Sequence, residues 1–184
     1  MPEAISWADV IGIGPGIGQS DLSGLLLERV LSLGKVPLVI DADGINVLAR
    51  ELSKEQEKDA DHEDSGKVGQ IRHSFDGYPG GIILTPHLKE MERLCGRKVA
   101  EIQKDLIATA LLLADPGHVV VLKDARTIVA DGRDPVYINQ SGNHGMAVGG
   151  SGDVLMGIIC GSGRRTPSSY RSKAGGILPW PGRR

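Results

Sequence analysis

The stretch GNHGMAVGGSGDVLMGIICG, Gly142 to Gly161, decides the fold and the chemistry of this chain. Its only carboxylate, Asp153, stands where the glycines end and an apolar helical pattern begins. A glycine-rich turn can present several N–H groups toward one point, and the positive end of a following helix favours an anion there. Asp153 could simply cap the helix, but one cap does not require four glycines in the eight residues before it. The stretch therefore predicts an anion hole with a carboxylate beside it, the arrangement that phosphoryl transfer needs.

Upstream of this stretch, short apolar runs alternate with amphipathic segments. The pattern predicts strands at 8–14, 37–43, 80–86 and 118–123, helices at 20–34, 44–52, 87–96 and 99–115, and a hairpin over 126–139. Such alternation is typical of an α/β fold, with a mostly parallel sheet and helices on both faces. Ligands of these sheets bind outside the carboxyl ends of the strands.

Composition narrows the function classes. A chain of 184 residues with 40% apolar and 3% aromatic residues builds one domain with an aliphatic core. A net charge of -2 argues against nucleic acid and membrane as partners. No apolar run approaches the roughly 20 residues of a spanning helix, and the first residues lack a signal-peptide pattern, so a cytoplasmic location is expected. Cys95 and Cys160 are isolated and are predicted to be small core residues.

Two segments break the alternation. Residues 53–77 are highly charged and are predicted to form a solvated surface loop, in which the cluster DHED at 61–64 is a charge run rather than a metal site. Residues 162–184 form a basic tail with six Lys and Arg residues and no acid, so that removing its +6 from -2 leaves -8 for residues 1–161. The tail is expected to be disordered and foreign to the domain.

Two further turns follow predicted strands. GIGPGIG, at 12–18, would let backbone amides approach a ligand at a helix start, although a plain tight turn explains it equally well. LTPHLKE, at 84–90, places His87 and Glu90 at another helix start. Glu90 can cap amides there, whereas His87 has no evident structural role and is a candidate functional residue.

In this order, IGPGIG, VIDADGIN, LTPHLKEMERL, LKDART and the glycine-rich stretch resemble the ADP-dependent NAD(P)H-hydrate dehydratase family, a branch of the ribokinase-like fold. The resemblance runs from about Ala8 to Gly161. Members restore NADH or NADPH from forms in which water has added to the reduced ring, and they consume a nucleotide. The resemblance thus implies a small-molecule substrate, ADP or ATP as cofactor, and Mg²⁺ with the phosphates, although no carboxylate is clearly a metal ligand. It leaves association into a homo-oligomer open.

The resemblance also implies roles for individual residues. Gly16, His87 and Asp153 would contact the hydrated cofactor, and Asp153 would be the catalytic acid/base. The nucleotide would be held by two groups of residues: Lys123, Asp124, Ala125, Arg126, Thr127, and Gly149, Gly150, Ser151, Gly152.

The chain departs from the family pattern in ways that keep alternatives open. Val148 replaces the usual Thr and Asp124 the usual Gly, and both changes would weaken nucleotide binding. Members also have further elements before Ala8 and an apolar helical continuation after Gly161, so residues 1–161 are expected to be a partial domain, poorly stable and inactive alone, with a tail translated out of frame. The alternatives are a small-molecule hydroxyl kinase of the same fold and an inactive fragment that at most binds nucleotide.

Overall fold

The computed structural model describes residues 7–58, 67–133, 135–141 and 148–165. Its centre is a sheet of six strands that follow one another in chain order. The strands are β1 (Ile11–Ile13), β2 (Leu38–Ile40), β3 (Ile82–Leu84), β4 (His118–Leu122), β5 (Ile128–Ala130) and β6 (Tyr137–Ile138). Every predicted strand forms, within shorter bounds than the apolar runs suggest.

The first four strands are parallel, and the hairpin β5–β6 closes the sheet with two antiparallel pairings. All five residues of β4, which lies between β3 and β5, are buried. The predicted mostly parallel α/β sheet is thereby confirmed.

Seven helices are described: α1 (Asp21–Leu33), α2 (Ala42–Lys58), α3 (Lys67–Phe75), α4 (Leu88–Cys95), α5 (Val99–Ile102), α6 (Leu106–Leu111) and α7 (Ser151–Arg165). Ser20 and Gly34, the two ends of the predicted helix 20–34, are the caps of α1, and the Ser20 side chain accepts the Ser23 N–H. Gly96 ends α4 in the left-handed conformation.

The helices cover both faces of the sheet. Successive parallel strands joined by right-handed connections place their helices on one side, and α1 to α6 all contribute buried side chains to the core there. Alternate strand residues point the other way, where Val39, Ile83 and Val121 pack with Met156 and Ile159 of α7.

The structure corrects the loop predicted over 53–77. Residues up to Lys58 extend α2, and α3 occupies 67–75. Ile71 and Phe75 of α3 are 0% and 1% exposed. The segment is rich in charge, but its few apolar residues recur at helical spacing and reach the core. The DHED cluster lies outside the described residues.

The helix predicted over 99–115 is two short helices, α5 and α6. Asp105 separates them because its carboxylate accepts the Ala108 N–H at 2.8 Å and caps α6. At the other end of the chain, α7 continues to Arg165. Residues 166–184 of the predicted tail lie outside the described part of the chain.

Candidate active site

The connections after β1 to β4 meet at the carboxyl edge of the sheet, where the sequence predicts the ligand. The first two connections are in direct contact. A β-carbon on Gly14 would lie 1.7 Å from the carbonyl oxygen of Asp41, so that only glycine fits this crossing. Asp41 is fixed further by its N–H, which donates to Ile13 at 3.1 Å, and Ala42 after it has a φ of 47°. A non-glycine residue with this φ is strained, and here it directly follows a buried carboxylate.

Asp41 forms an ion pair with Lys123 at the centre of this edge. The distance from Lys123 Nζ to Asp41 Oδ1 is 2.7 Å, and the two side chains are 21% and 2% exposed. The Lys123 N–H donates to the Pro86 carbonyl at 2.7 Å, which ties the connection after β4 to that after β3. The predicted nucleotide residue Lys123 is therefore held by a carboxylate that the sequence analysis assigned no role.

The first turn of α7 covers this pair. A β-carbon at Gly152 would lie 3.6 Å from Asp41 Oδ2 and 3.7 Å from Lys123 Nζ. Lys123 and Gly152, predicted to hold one ligand, are thus brought together. Gly149 and Gly150 precede the helix in open space. Residues 142–147 of the glycine-rich stretch lie outside the described part of the chain.

The N-terminus of α7 has the character of an anion site. Val154 N–H bonds to Gly150 and Ser151 N–H to Val148. The N–H groups of Gly152 and Asp153 have no bond to any residue that the structure describes. Free amides at the positive end of a helix of 15 residues suit a phosphate. Val148 is 63% exposed at the mouth of this turn and offers no hydroxyl.

Asp153 is exposed in the first turn of α7. Its side chain has no hydrogen bond to a described residue. The carboxylate is therefore free to accept a proton from a ligand, and capping, the alternative considered for it, is not observed with the residues described.

His87 and Glu90 form a capping box at the start of α4. His87 Nδ1 accepts the N–H groups of Lys89 and Glu90 at 3.1 and 3.2 Å, and Glu90 Oε2 accepts the His87 N–H at 2.8 Å. The predicted capping role of Glu90 is confirmed. The idea that His87 lacks a structural role is wrong: histidine is an unusual cap, and nothing in the sequence indicates it.

Burial raises the pKa of Glu90, and the hydrogen bond from the His87 N–H together with the nearby charge of Lys123 opposes that rise. With Nδ1 accepting, the neutral imidazole carries its proton on Nε2, which lies 3.3 Å from Glu90 Oε1. The ring remains 51% exposed and can meet a substrate through its open side.

The remaining predicted residues lie on exposed turns. Asp124, Ala125 and Arg126 are exposed after β4, and Thr127 binds Asn139 through its backbone carbonyl. Gly16 is exposed in the connection after β1. These residues share the site edge, but among the residues described their side chains make no hydrogen bond or ion pair with Lys123 or α7.

A polar network that the sequence analysis did not predict flanks this edge. Asp43 Oδ1 accepts from Gln19 at 2.9 Å and from Asn46 at 3.4 Å, and Asn46 Oδ1 accepts from Arg93 at 2.6 Å. The residues come from three separate connections, which sequence spacing cannot reveal.

The described residues include no group of three His, Cys, Asp or Glu side chains that could hold a metal. Magnesium commonly keeps several waters and binds through substrate phosphates with one or two carboxylates. The site therefore fits a Mg²⁺ carried by a nucleotide rather than one caged by the protein. Cys95 and Cys160 are free, half-buried thiols that pack against the cores, as predicted. In the described part of the chain no helix has the length and apolar character needed to span a membrane.

The sheet with helices on both faces defines an α/β domain, and its α7 N-terminus beside a lysine is an arrangement that suits a phosphate. Residues 2–62 and 68–162 match the family model described as NAD(P)H-hydrate dehydratase. The chain belongs to this family, and the resemblance drawn from its motifs is confirmed.

Individual relatives support the family assignment. The chain is 39% identical over 160 residues to the bifunctional NAD(P)H-hydrate repair enzyme Nnr of Moorella thermoacetica, covering 86% of this chain and 26% of that protein. It is 37% identical over 154 residues to the ADP-dependent (S)-NAD(P)H-hydrate dehydratase of Neisseria meningitidis serogroup B, covering 82% of this chain and 45% of that protein. It therefore spans less than half the length of either relative.

A solved structure gives the same result for the fold. The ADP/ATP-dependent NAD(P)H-hydrate dehydratase of Bacillus subtilis, co-crystallised with ATP and Mg²⁺, superposes with a TM-score of 0.65 at 26% identity. The match covers 89% of this chain and 52% of that one.

Proposed function

We propose that this chain carries the nucleotide-dependent dehydration of hydrated NADH or NADPH back to the reduced cofactor. The observation that carries the proposal is the meeting of the Lys123 ammonium with the N-terminus of α7, next to the exposed carboxylate of Asp153. Family membership supplies the substrate class. Relatives are named as ADP-dependent or ADP/ATP-dependent, which supports either nucleotide as the phosphoryl donor.

The chemistry explains why a nucleotide is needed. Water added to the reduced ring leaves a hydroxyl on a carbon next to the ring nitrogen, and hydroxide is a poor leaving group. Asp153 takes the hydroxyl proton while the oxygen attacks the terminal phosphorus, and the bond from that phosphorus to the bridging oxygen breaks. ADP thereby yields AMP, or ATP yields ADP. The nitrogen lone pair then expels phosphate, and loss of a proton from the neighbouring carbon restores the ring double bond.

The residues of the site divide this work. The Gly152 and Asp153 amides and Lys123 hold phosphate oxygens, where negative charge is present throughout the transfer. Gly16 and His87, on the connections after β1 and β3, hold the hydrated ring. Mg²⁺, carried by the phosphates, supplies further charge neutralisation.

The test is to incubate the chain, beside a version whose two ends are restored to the length of its relatives, with hydrated NADH and either ADP or ATP and to follow the return of reduced-nicotinamide absorbance. Analysis of the nucleotide products by chromatography gives the second readout. We expect one nucleotide to be cleaved for each NADH restored. Cleavage with accumulation of a stable phosphorylated substrate would instead indicate a hydroxyl kinase, and no turnover with either nucleotide would contradict the proposal.

A further inference from the structure

Successive side chains of a strand point to opposite sides of the sheet, and this alternation places two charged residues on one side. In β2, Val39 points toward α7, whereas Leu38 and Ile40 point into the larger core. Asp41 is two residues after Val39 and points to the same side of the sheet, just beyond the end of β2. Lys123 likewise is two residues after Val121 and points to the same side as Val119 and Val121 of β4. Both side chains therefore emerge on the α7 side at the carboxyl edge.

The ion pair between Asp41 and Lys123 is held in place by the fold and is not a chance surface contact. A carboxylate that is 2% exposed is costly without a partner, and Lys123 Nζ lies 2.7 Å from its Oδ1. The other buried carboxylate of the site, Glu90, is committed to the His87 N–H. Asp41 is also fixed through its backbone, because its carbonyl accepts the Gly44 N–H at 2.9 Å and its N–H donates to Ile13.

The ammonium of Lys123 faces α7 as well as Asp41. A β-carbon at Gly152 would lie 3.7 Å from Nζ, so the ammonium lies beneath the first turn of the helix. An ammonium has three N–H donors, and Asp41 occupies one of them. The other two are available for a phosphate that also receives the free amides of α7.

We propose that Asp41 is a positioning residue for the nucleotide: its buried carboxylate fixes the Lys123 ammonium below α7, so that ammonium and helix amides bind the same phosphate. The inference rests on the proposed nucleotide use, but it concerns phosphate binding and not dehydration. Without Asp41, Lys123 is a long side chain with several rotamers and has to be ordered by the ligand itself, which lowers affinity.

The experiment measures ADP binding by calorimetry, without the hydrated cofactor, for the unaltered chain and for Asp41→Asn, Lys123→Gln and the double variant. We expect each single change to weaken ADP binding by about tenfold or more, the order expected for a hydrogen bond to a charged group. The double variant should bind no more weakly than Lys123→Gln, because Asp41 acts through Lys123. Asp43→Asn is the matched control: it removes the same charge from the same connection, but its partners are Gln19 and Asn46.

A second measurement avoids any loss of folding in the variants. The unaltered chain is acetylated at its lysines with and without saturating ADP, and the modified sites are quantified by mass spectrometry. ADP should protect Lys123 but not Lys89, an exposed lysine paired with Glu92 on α4. Unprotected Lys123, additive losses in the double variant, or unchanged or tighter binding by Asp41→Asn would each overturn the inference.

Absence of ADP binding would overturn it too. Binding with this pattern but without restoration of NADH would instead leave the inference standing and contradict the dehydratase proposal.

Discussion

Replacing Phe75 with alanine tests whether α3 is a structural helix or a solvated loop. The side chain is 1% exposed and belongs to the larger core, and its ring lies 5.4 Å from that of His118. Truncating a buried Phe removes its transfer free energy and leaves a cavity, at a cost of about 3–5 kcal/mol. A residue on a solvated loop would cost less than about 0.5 kcal/mol. The two interpretations therefore differ severalfold in the expected loss of the free energy of unfolding.

The assay is urea unfolding followed by far-ultraviolet circular dichroism. A loss of about 3–5 kcal/mol is a large share of the roughly 5–15 kcal/mol free energy of unfolding of a typical domain, so Phe75→Ala could unfold the chain. The milder variant Phe75→Leu is therefore measured beside it and should lower the free energy of unfolding by about 1–2 kcal/mol. His73→Ala is the control, since its side chain is 88% exposed on the same helix, and it should change stability by less than about 1 kcal/mol. A Phe75→Ala chain as stable as the His73→Ala chain would refute the packing of α3.

Three further predictions concern titration and the site. Burial lowers the pKa of His118 below its ordinary 6.5, against the opposing charge of Asp115, so the unfolded chain takes up this proton first and stability falls as pH drops below about 6.5. His118→Gln should remove that part of the pH dependence in unfolding curves. In a complete, active version of the domain, Asp153→Asn should retain ADP affinity while lowering turnover by roughly 10²- to 10⁴-fold, as for loss of a general base. Asp124→Gly should tighten ADP binding, by an amount that shrinks as salt rises.

Each of these has a contrary outcome. Identical pH profiles with and without the imidazole would show that the pKa of His118 is the same in the folded and the unfolded chain. Near-normal turnover of Asp153→Asn would assign the base elsewhere. Equal ADP affinity of Asp124→Gly at low salt would show that this exposed carboxylate does not face the phosphates.

Local signals predicted the strands and the bounds of α1 and α4, because each depends on a few adjacent residues. The apolar run of β4 and the caps Ser20 and Gly96 are read directly from neighbours in sequence. The error over 53–77 came from weighing composition above periodicity: Val68, Ile71 and Phe75 recur at three and four residues, which is enough for one buried helical face. The split at Asp105 was missed because apolar residues at helical spacing, Ile102 and Leu106, lie on both sides of the cap.

The site was predicted only in part, since its polar contacts join distant segments. The glycine-rich turn and Asp153 form a local motif and could be found, and the resemblance supplied Lys123. Asp41 and Lys123 are 82 residues apart, and their contact depends on β2 and β4 flanking β3 in the sheet. No pattern within either segment contains that information.

The ion pair is nevertheless a consequence of the hydrophobic pattern. Pairing of Ile40 with Leu84, and of Leu84 with Val120, sets Asp41 level with Val121, so that Lys123, two residues beyond Val121 and on the same side of the sheet, lies within reach of Asp41. A slip of one residue in β2 would turn Val39 into the larger core and direct Asp41 away from α7. Such a slip is costly because β2 is buried on both faces. The aliphatic residues that build the sheet therefore also set the position of the Lys123 ammonium, and a core substitution that shifts β2 would weaken phosphate binding without touching any residue of the site.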